Sequence, residues 1–233
     1  MTWHQSRDEN YTSPIVKGMR RHKSKPRERI LSDEEIRALW TALGDFGAFG
    51  PVVKLCLLTA QRSRKIASMR WQDLKDGVWS IPQQDREKGT ARSLKLSPLA
   101  WEIVESRPRL KDNPYVFASL PFKHFNSWSE QKSALDGELK KLLPDMPPWT
   151  IHDLRRTARS LMSRAGVRPD IAERVLGHAI KGVEGTYDRH NYDEWKTDAL
   201  DKLADMISAI VNPSTDNVIS YADARRDKLK IGT

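Results

Sequence analysis

Apolar positions recur at helical spacing from Leu31 onward. Ser32 and Glu35 form a capping-box pattern, and Ile36, Leu39, Trp40 and Leu43 follow three and four residues apart, predicting a helix. Gly44, Gly47 and Gly50 break that pattern. Pro51 suits a first helical position, and the apolar run up to Leu58 predicts a buried helix. A polar turn over Thr59 to Arg64 precedes a short helix from Lys65 towards Trp71. Gly77 to Pro82 and Ala91 to Leu96 read as two short strands, with Gln83 to Thr90 as a long exposed turn between them. Ser97-Pro98 opens another helix, with Trp101, Ile103 and Val104 available for a core. Phe122, Phe125 and Trp128 lead into a helix to about Leu143, which Pro144, Pro147 and Pro148 stop.

Thr150 and Asp153 repeat the capping pattern. The helix beyond them runs through Leu154, Ala158, Leu161 and Met162 to Gly166, a C-terminal glycine. Pro169 starts a helix that ends near Leu176. From Trp195 to Val211, the apolar positions Trp195, Ala199, Leu203, Met206, Ile207 and Ile210 predict an amphipathic helix. The expected fold is therefore mainly α with one small antiparallel β-sheet, an α+β domain over residues 31–212. Residues 213–233 are polar and read as a C-terminal tail.

Composition sharpens the functional classes. The chain has 233 residues, enough for one large domain or a domain with appendages. No apolar run reaches membrane-spanning length and the first ten residues are polar, so a cytoplasmic protein is expected. The single cysteine, Cys56, sits among Val52, Val53, Leu55, Leu57 and Leu58 and reads as a small buried hydrophobe. With no cysteine cluster and six scattered histidines, a structural zinc site is not expected. Lys plus Arg total 40 against 31 Asp plus Glu, a formal charge of +9, which fits either a polyanionic partner or merely a basic surface. Lys17 to Arg29 holds seven basic residues and one acid without apolar periodicity. It reads as a solvated tail or as a linker, about residues 1–30, lying along a phosphate backbone.

Several residues could carry chemistry on an anion. His152 and Arg155, in HDLRR, share a helix face near an N-terminus, where free N–H groups and the dipole favour negative charge. Arg can donate two hydrogen bonds to two phosphate oxygens, and His can move a proton near neutral pH. A capping histidine beside a surface arginine pair is the plainer alternative. Downstream come Leu176-Gly177-His178, then Tyr187 nine residues after the histidine, then Asp188, Arg189 and His190. Arg62 lies in TAQRSRK after the buried helix, and Lys88 lies in the hairpin turn. A tyrosine nucleophile needs a proton acceptor and nearby cations, because the phenol ordinarily titrates near 10.

The order TxxR, hairpin lysine, HDLRR, LGH and a tyrosine nine residues on resembles the catalytic domain of tyrosine recombinases, the phage-integrase family. RHxY after the tyrosine is similar to the prophage-integrase branch. The resemblance spans roughly Leu31 to Ile210. It implies site-specific DNA cleavage and rejoining through a covalent 3′-phosphotyrosine, with no metal and no other cofactor. By motif, Tyr187 would be the nucleophile. Arg62 and Arg155 would clamp the scissile phosphate, and Lys88 would protonate the leaving 5′-oxygen. His152 would handle the tyrosine proton, and His178 would hydrogen-bond the phosphate. The implied partner is a double-stranded DNA attachment site, bound by a tetramer. The Trp195–Val211 helix either packs on its own core or docks on a neighbouring protomer.

Tyr192 competes with Tyr187 as nucleophile but lies five residues too late for the family spacing, and Arg92 and Lys95 compete with Lys88. His190 reads as structural or as a backbone contact. The chain also departs from the family twice in its first motif. Lys65 stands where an acidic residue usually lies three positions after the first arginine, and Ala60 replaces the usual glycine. The family's N-terminal clamp domain is not seen ahead of the basic stretch. These departures keep open a weakened DNA-binding remnant. A type IB topoisomerase-like nicking-closing enzyme shares the same chemistry without partner exchange.

Overall fold

A helix hydrophobic on every side can only sit inside a protein, and Phe49–Thr59 does so. Val52, Val53, Leu55, Leu57 and Leu58 are each no more than 1% exposed, and burying each such side chain contributes ~1.5–3 kcal/mol. The computed structural model describes residues 27–83, 91–120, 122–178 and 192–213. Lys88, Tyr187 and His190, together with most of the basic stretch, lie outside the described residues.

The helices, in chain order, are α1 (Asp33–Ala42), α2 (Phe49–Thr59), α3 (Ser63–Ala67), α4 (Pro98–Glu105), α5 (Trp128–Leu142), α6 (Ile151–Arg164), α7 (Pro169–Leu176) and α8 (Asp193–Val211). Ser32 caps α1 reciprocally with Glu35, as the sequence predicts. Pro51 falls third in α2 rather than first, still within the turn whose N–H groups have no helical partner. Leu74–Lys75 (β1), Val78–Ser80 (β2) and Ser93–Lys95 (β3) form an antiparallel sheet in the order β1-β2-β3. Trp79 pairs with Leu94 and turns its ring into the core at 1% exposure.

The expectation of one sheet needs correction. Ala118–Leu120 (β4) and Lys123–His124 (β5) form a second, two-stranded sheet. These segments are too short for an alternating pattern to be legible in the sequence.

The stripe on α8 also needs correction. Its buried face runs through Lys196, Ala199, Leu200, Leu203, Ala204, Ile207 and Ile210, whereas Trp195 is 48% exposed. The helix packs against α1, α2, α6, α7 and β3 of its own domain. Among the described residues, no helix is long and apolar enough to cross a membrane.

Candidate functional site

The site begins where α2 stops. Thr59 turns its hydroxyl back onto the Leu55 carbonyl at 2.6 Å, and Ala60 then takes a left-handed conformation with φ 55. Left-handed backbone crowds a Cβ, so alanine is strained there where glycine would not be. Gln61 ties the turn to α7 by donating to the Val175 carbonyl at 2.6 Å. Arg62 follows as the N-cap of α3 with its side chain exposed.

Arg155 projects from α6 into this turn. It is buried, at 4% exposure. Its Nη1 donates to the Ala60 carbonyl at 2.6 Å, and its Nη2 donates to the Leu176 carbonyl at 2.7 Å. The same Nη2 lies 2.9 Å from His178 Nε2. One guanidinium therefore joins the end of α2, the end of α7 and the histidine after it. Burial, reinforced by the Arg62 charge, pulls the Arg155 guanidinium down to about 10, which leaves it charged at neutral pH. The plainer view of HDLRR, a capping histidine with a surface arginine pair, does not hold.

The cap of α6 is Thr150 with Asp153. The Asp153 side chain is fully buried and accepts from the Thr150 backbone N–H at 2.8 Å and hydroxyl at 2.9 Å. Arg27 Nε at 2.9 Å and Arg156 Nη1 at 2.7 Å complete its shell. Burial alone would raise this carboxyl; the hydrogen bonds from Thr150 and the charges of Arg27 and Arg156 hold it below its ordinary value. Arg27 also donates to the Pro148 carbonyl at 2.5 Å, so the last residues of the expected basic linker are docked beside the His152 helix.

His152 sits one turn ahead of Arg155 and keeps an exposed edge. Partial burial, then the charges of Arg156, Arg155 and Arg62, hold its imidazole below the usual histidine range. The structure thus puts Arg62, His152, Arg155 and His178 in one electrostatic neighbourhood drawn from three stretches of chain. Such a neighbourhood can receive an anion with several oxygens.

Two supporting residues were missed. Glu173 of α7 lies 2.5 Å from His178 Nδ1 and accepts from Arg159 Nε at 2.8 Å. Burial alone would raise its carboxyl, but the hydrogen bonds from Arg159 and His178 hold it low. Nothing in its spacing marks it, because it meets His178 only after the helix has ended. Lys196 is the second. A charged residue beside an apolar stripe ordinarily reads as solvent-facing, yet this one is 4% exposed.

Lys65, in place of the expected acid, is also buried, at 8% exposure, and its ammonium donates to the Pro82 carbonyl at 2.5 Å. Of the competitors, Lys95 lies on β3 beside Asp193, Glu194, Asp198 and Asp201, which line a cavity with it. Arg92 is held at φ 63, with its carbonyl accepting from Ile81 N–H at 2.6 Å. Tyr192 is half-buried against the core, with the Arg174 guanidinium 3.9 Å above its ring.

A profile of the phage integrase family matches residues 29–194. The chain belongs to the phage integrase family. The prophage integrase IntZ of Escherichia coli strain K12 is 26% identical over 183 residues, covering 76% of this chain and 44% of the relative. The chain therefore spans less than half the length of that curated relative. Among solved structures, the integrase of mycobacterium phage Brujita superposes with a TM-score of 0.57 at 18% identity, covering 90% of this chain and 72% of that one. A lambda integrase dimer bound to a COC′ core site gives 0.55 at 20% identity, covering 70% and 62%. A lambda integrase tetramer bound to a Holliday junction gives 0.56 at 18%, covering 81% and 56%. The fold of this phage-integrase chain is that of tyrosine recombinase catalytic domains.

Proposed function

We propose that this chain cuts and rejoins double-stranded DNA at specific sites through a transient 3′-phosphotyrosine. The observation that carries the reading is the Arg155 guanidinium, buried, bonded to the Ala60 and Leu176 carbonyls and touching His178. An arginine so fixed can offset charge growing on a non-bridging phosphate oxygen without reorganising when it grows. Arg62 is its partner on the same phosphate.

Tyr187 is the proposed nucleophile. Its phenol oxygen bonds to phosphorus as the bond to the 5′-oxygen breaks. His152, an imidazole held below the usual histidine range by burial and neighbouring positive charge, receives the phenol proton. Lys88 gives a proton to the departing 5′-oxygen, and His178, whose Nε2 accepts from Arg155 and whose Nδ1 faces Glu173, holds that arginine toward the phosphate rather than bonding the phosphate itself. The step needs no metal, because arginines supply the positive charge. The phosphotyrosine conserves the ester, so a 5′-hydroxyl from another strand can reverse the step onto a new partner. By analogy with the lambda integrase tetramer on a Holliday junction, the working assembly is a tetramer on DNA, in the cytoplasm of the host.

A DNA-binding remnant is the second reading, favoured by the buried Lys65 in the acid's position. Covalent capture decides between them. Full-length protein is incubated with a pool of nicked random-sequence duplexes, and adducts surviving denaturation are collected. Capture that Tyr187→Phe abolishes supports the enzyme. Salt-sensitive binding with no adduct supports the remnant, and in either case affinity falls steeply as salt rises, because lysines and arginines displace condensed counterions.

A further inference from the structure

Two buried lysines grip the chain on either side of the segment that contains Lys88. On one side, Lys65 Nζ donates to the Pro82 carbonyl. On the other, Lys196 Nζ donates to the carbonyls of Ala91 at 3.1 Å and Ser93 at 2.9 Å. The same ammonium forms an ion pair with Asp193 Oδ1 at 2.8 Å. Ser93 Oγ donates to the same Asp193 oxygen at 3.2 Å. The Ile81 N–H to Arg92 carbonyl bond closes the stems against each other.

An apolar side chain would fill this space at less desolvation cost than an ammonium. What the ammonium adds is direction: three acceptors from two chain segments are held around one nitrogen. Those segments are Ala91 to Ser93, which leads into β3 and starts three residues after Lys88, and the first turn of α8, which starts six residues after Tyr187.

We propose that Lys196 is a positioning residue that sets the hairpin for protonation of the leaving 5′-oxygen, by fixing its returning stem to the helix that follows the nucleophile. This rests on the assignment of Lys88 as the proton donor in the proposed function. The proton passes from the Lys88 ammonium to the 5′-oxygen as its bond to phosphorus breaks and the tyrosine oxygen's bond to phosphorus forms. If sulfur replaces that bridging oxygen, it leaves as a thiolate and needs no proton, because a thiol is far more acidic than an alcohol.

The test uses full-length protein and the duplex captured by the wild type, synthesised with either oxygen or sulfur bridging the scissile phosphate. Lys196→Met is expected to slow cleavage of the oxygen substrate by about 10-fold or more, a share of what general acid catalysis contributes. With the sulfur substrate its rate should match that of wild type, because the thiolate leaves without a general acid. Lys88→Ala should follow the same pattern more strongly. If wild type cleaves but sulfur does not rescue Lys88→Ala, the Lys88 assignment fails. If Lys88→Ala is rescued while Lys196→Met loses rate equally on both substrates, or on neither, the positioning role fails alone. Should Lys196→Met not fold, Asp193→Asn, which keeps the lysine and removes its carboxylate, is read by the same criterion.

Discussion

Arg155 Nη2 lies 2.9 Å from His178 Nε2. A guanidinium only donates, so Nε2 accepts, and the imidazole proton sits on Nδ1 against the Glu173 carboxylate. The two side chains therefore define each other's orientation. Lysine in place of Arg155 keeps a charge but cannot span the Ala60 carbonyl, the Leu176 carbonyl and His178 together. Arg155→Lys is expected to lower stability by about 3 kcal/mol in urea denaturation, as hydrogen bonds to a charged group are lost. Covalent capture of DNA should fall by about 100-fold or more. Wild-type levels of both would remove the arginine from the centre of the site.

Asp153 accepts four donors with no solvent contact, so Asp153→Asn should cost about 3 kcal/mol, since removing one side of a buried charge cluster strands the rest. Its folded pKa lies below the unfolded one. The unfolded chain therefore binds the extra proton between the two values, and the stability it contributes is present above about pH 3.9 and lost as pH falls through the folded value. Acid titrations of the two proteins, followed by circular dichroism, should converge at low pH.

His152 gives a second pH signature. Its folded pKa is also depressed, so the unfolded chain again binds more protons and stability falls as pH drops below about 6.5 towards the folded value. A bound phosphate opposes the surrounding arginines and raises that pKa. Proton NMR of the imidazole should show a midpoint below the ordinary histidine value in the free protein and an upward shift with DNA. An unchanged midpoint would place the phosphate elsewhere.

Ala60 offers a test of stability rather than chemistry. Its left-handed backbone costs about 1–2 kcal/mol relative to glycine, while its buried methyl contributes roughly 0.8 kcal/mol. Ala60→Gly should raise stability by about half a kcal/mol, the difference between the two. A loss in thermal denaturation would mean that packing of the methyl outweighs the backbone.

The helices were legible because their signals are local. Ser32 with Glu35 and Thr150 with Asp153 mark their own N-termini, and the all-apolar run around Cys56 has only one place to go, a burial that pushes its thiol up to about 12. What escaped the sequence depends on distance. Lys196 reads as a surface charge until the hairpin carbonyls of Ala91 and Ser93 arrive from more than a hundred residues away. Lys65 reads as a lost acid until its amine meets Pro82. Glu173 is one helical acid among many until Gly177, at φ 70, bends the chain and brings His178 back beside it. The assignments to Lys88 and Tyr187 come from motif order and stand as proposals.

Arg27 is moored to Asp153 and Pro148, at the turn that opens the His152 helix. A pull on the polypeptide ahead of residue 27 is thus delivered to the end of α6 from which Arg155 reaches its two carbonyls. Tension on that end of the chain is therefore felt at the helix that carries His152 and Arg155.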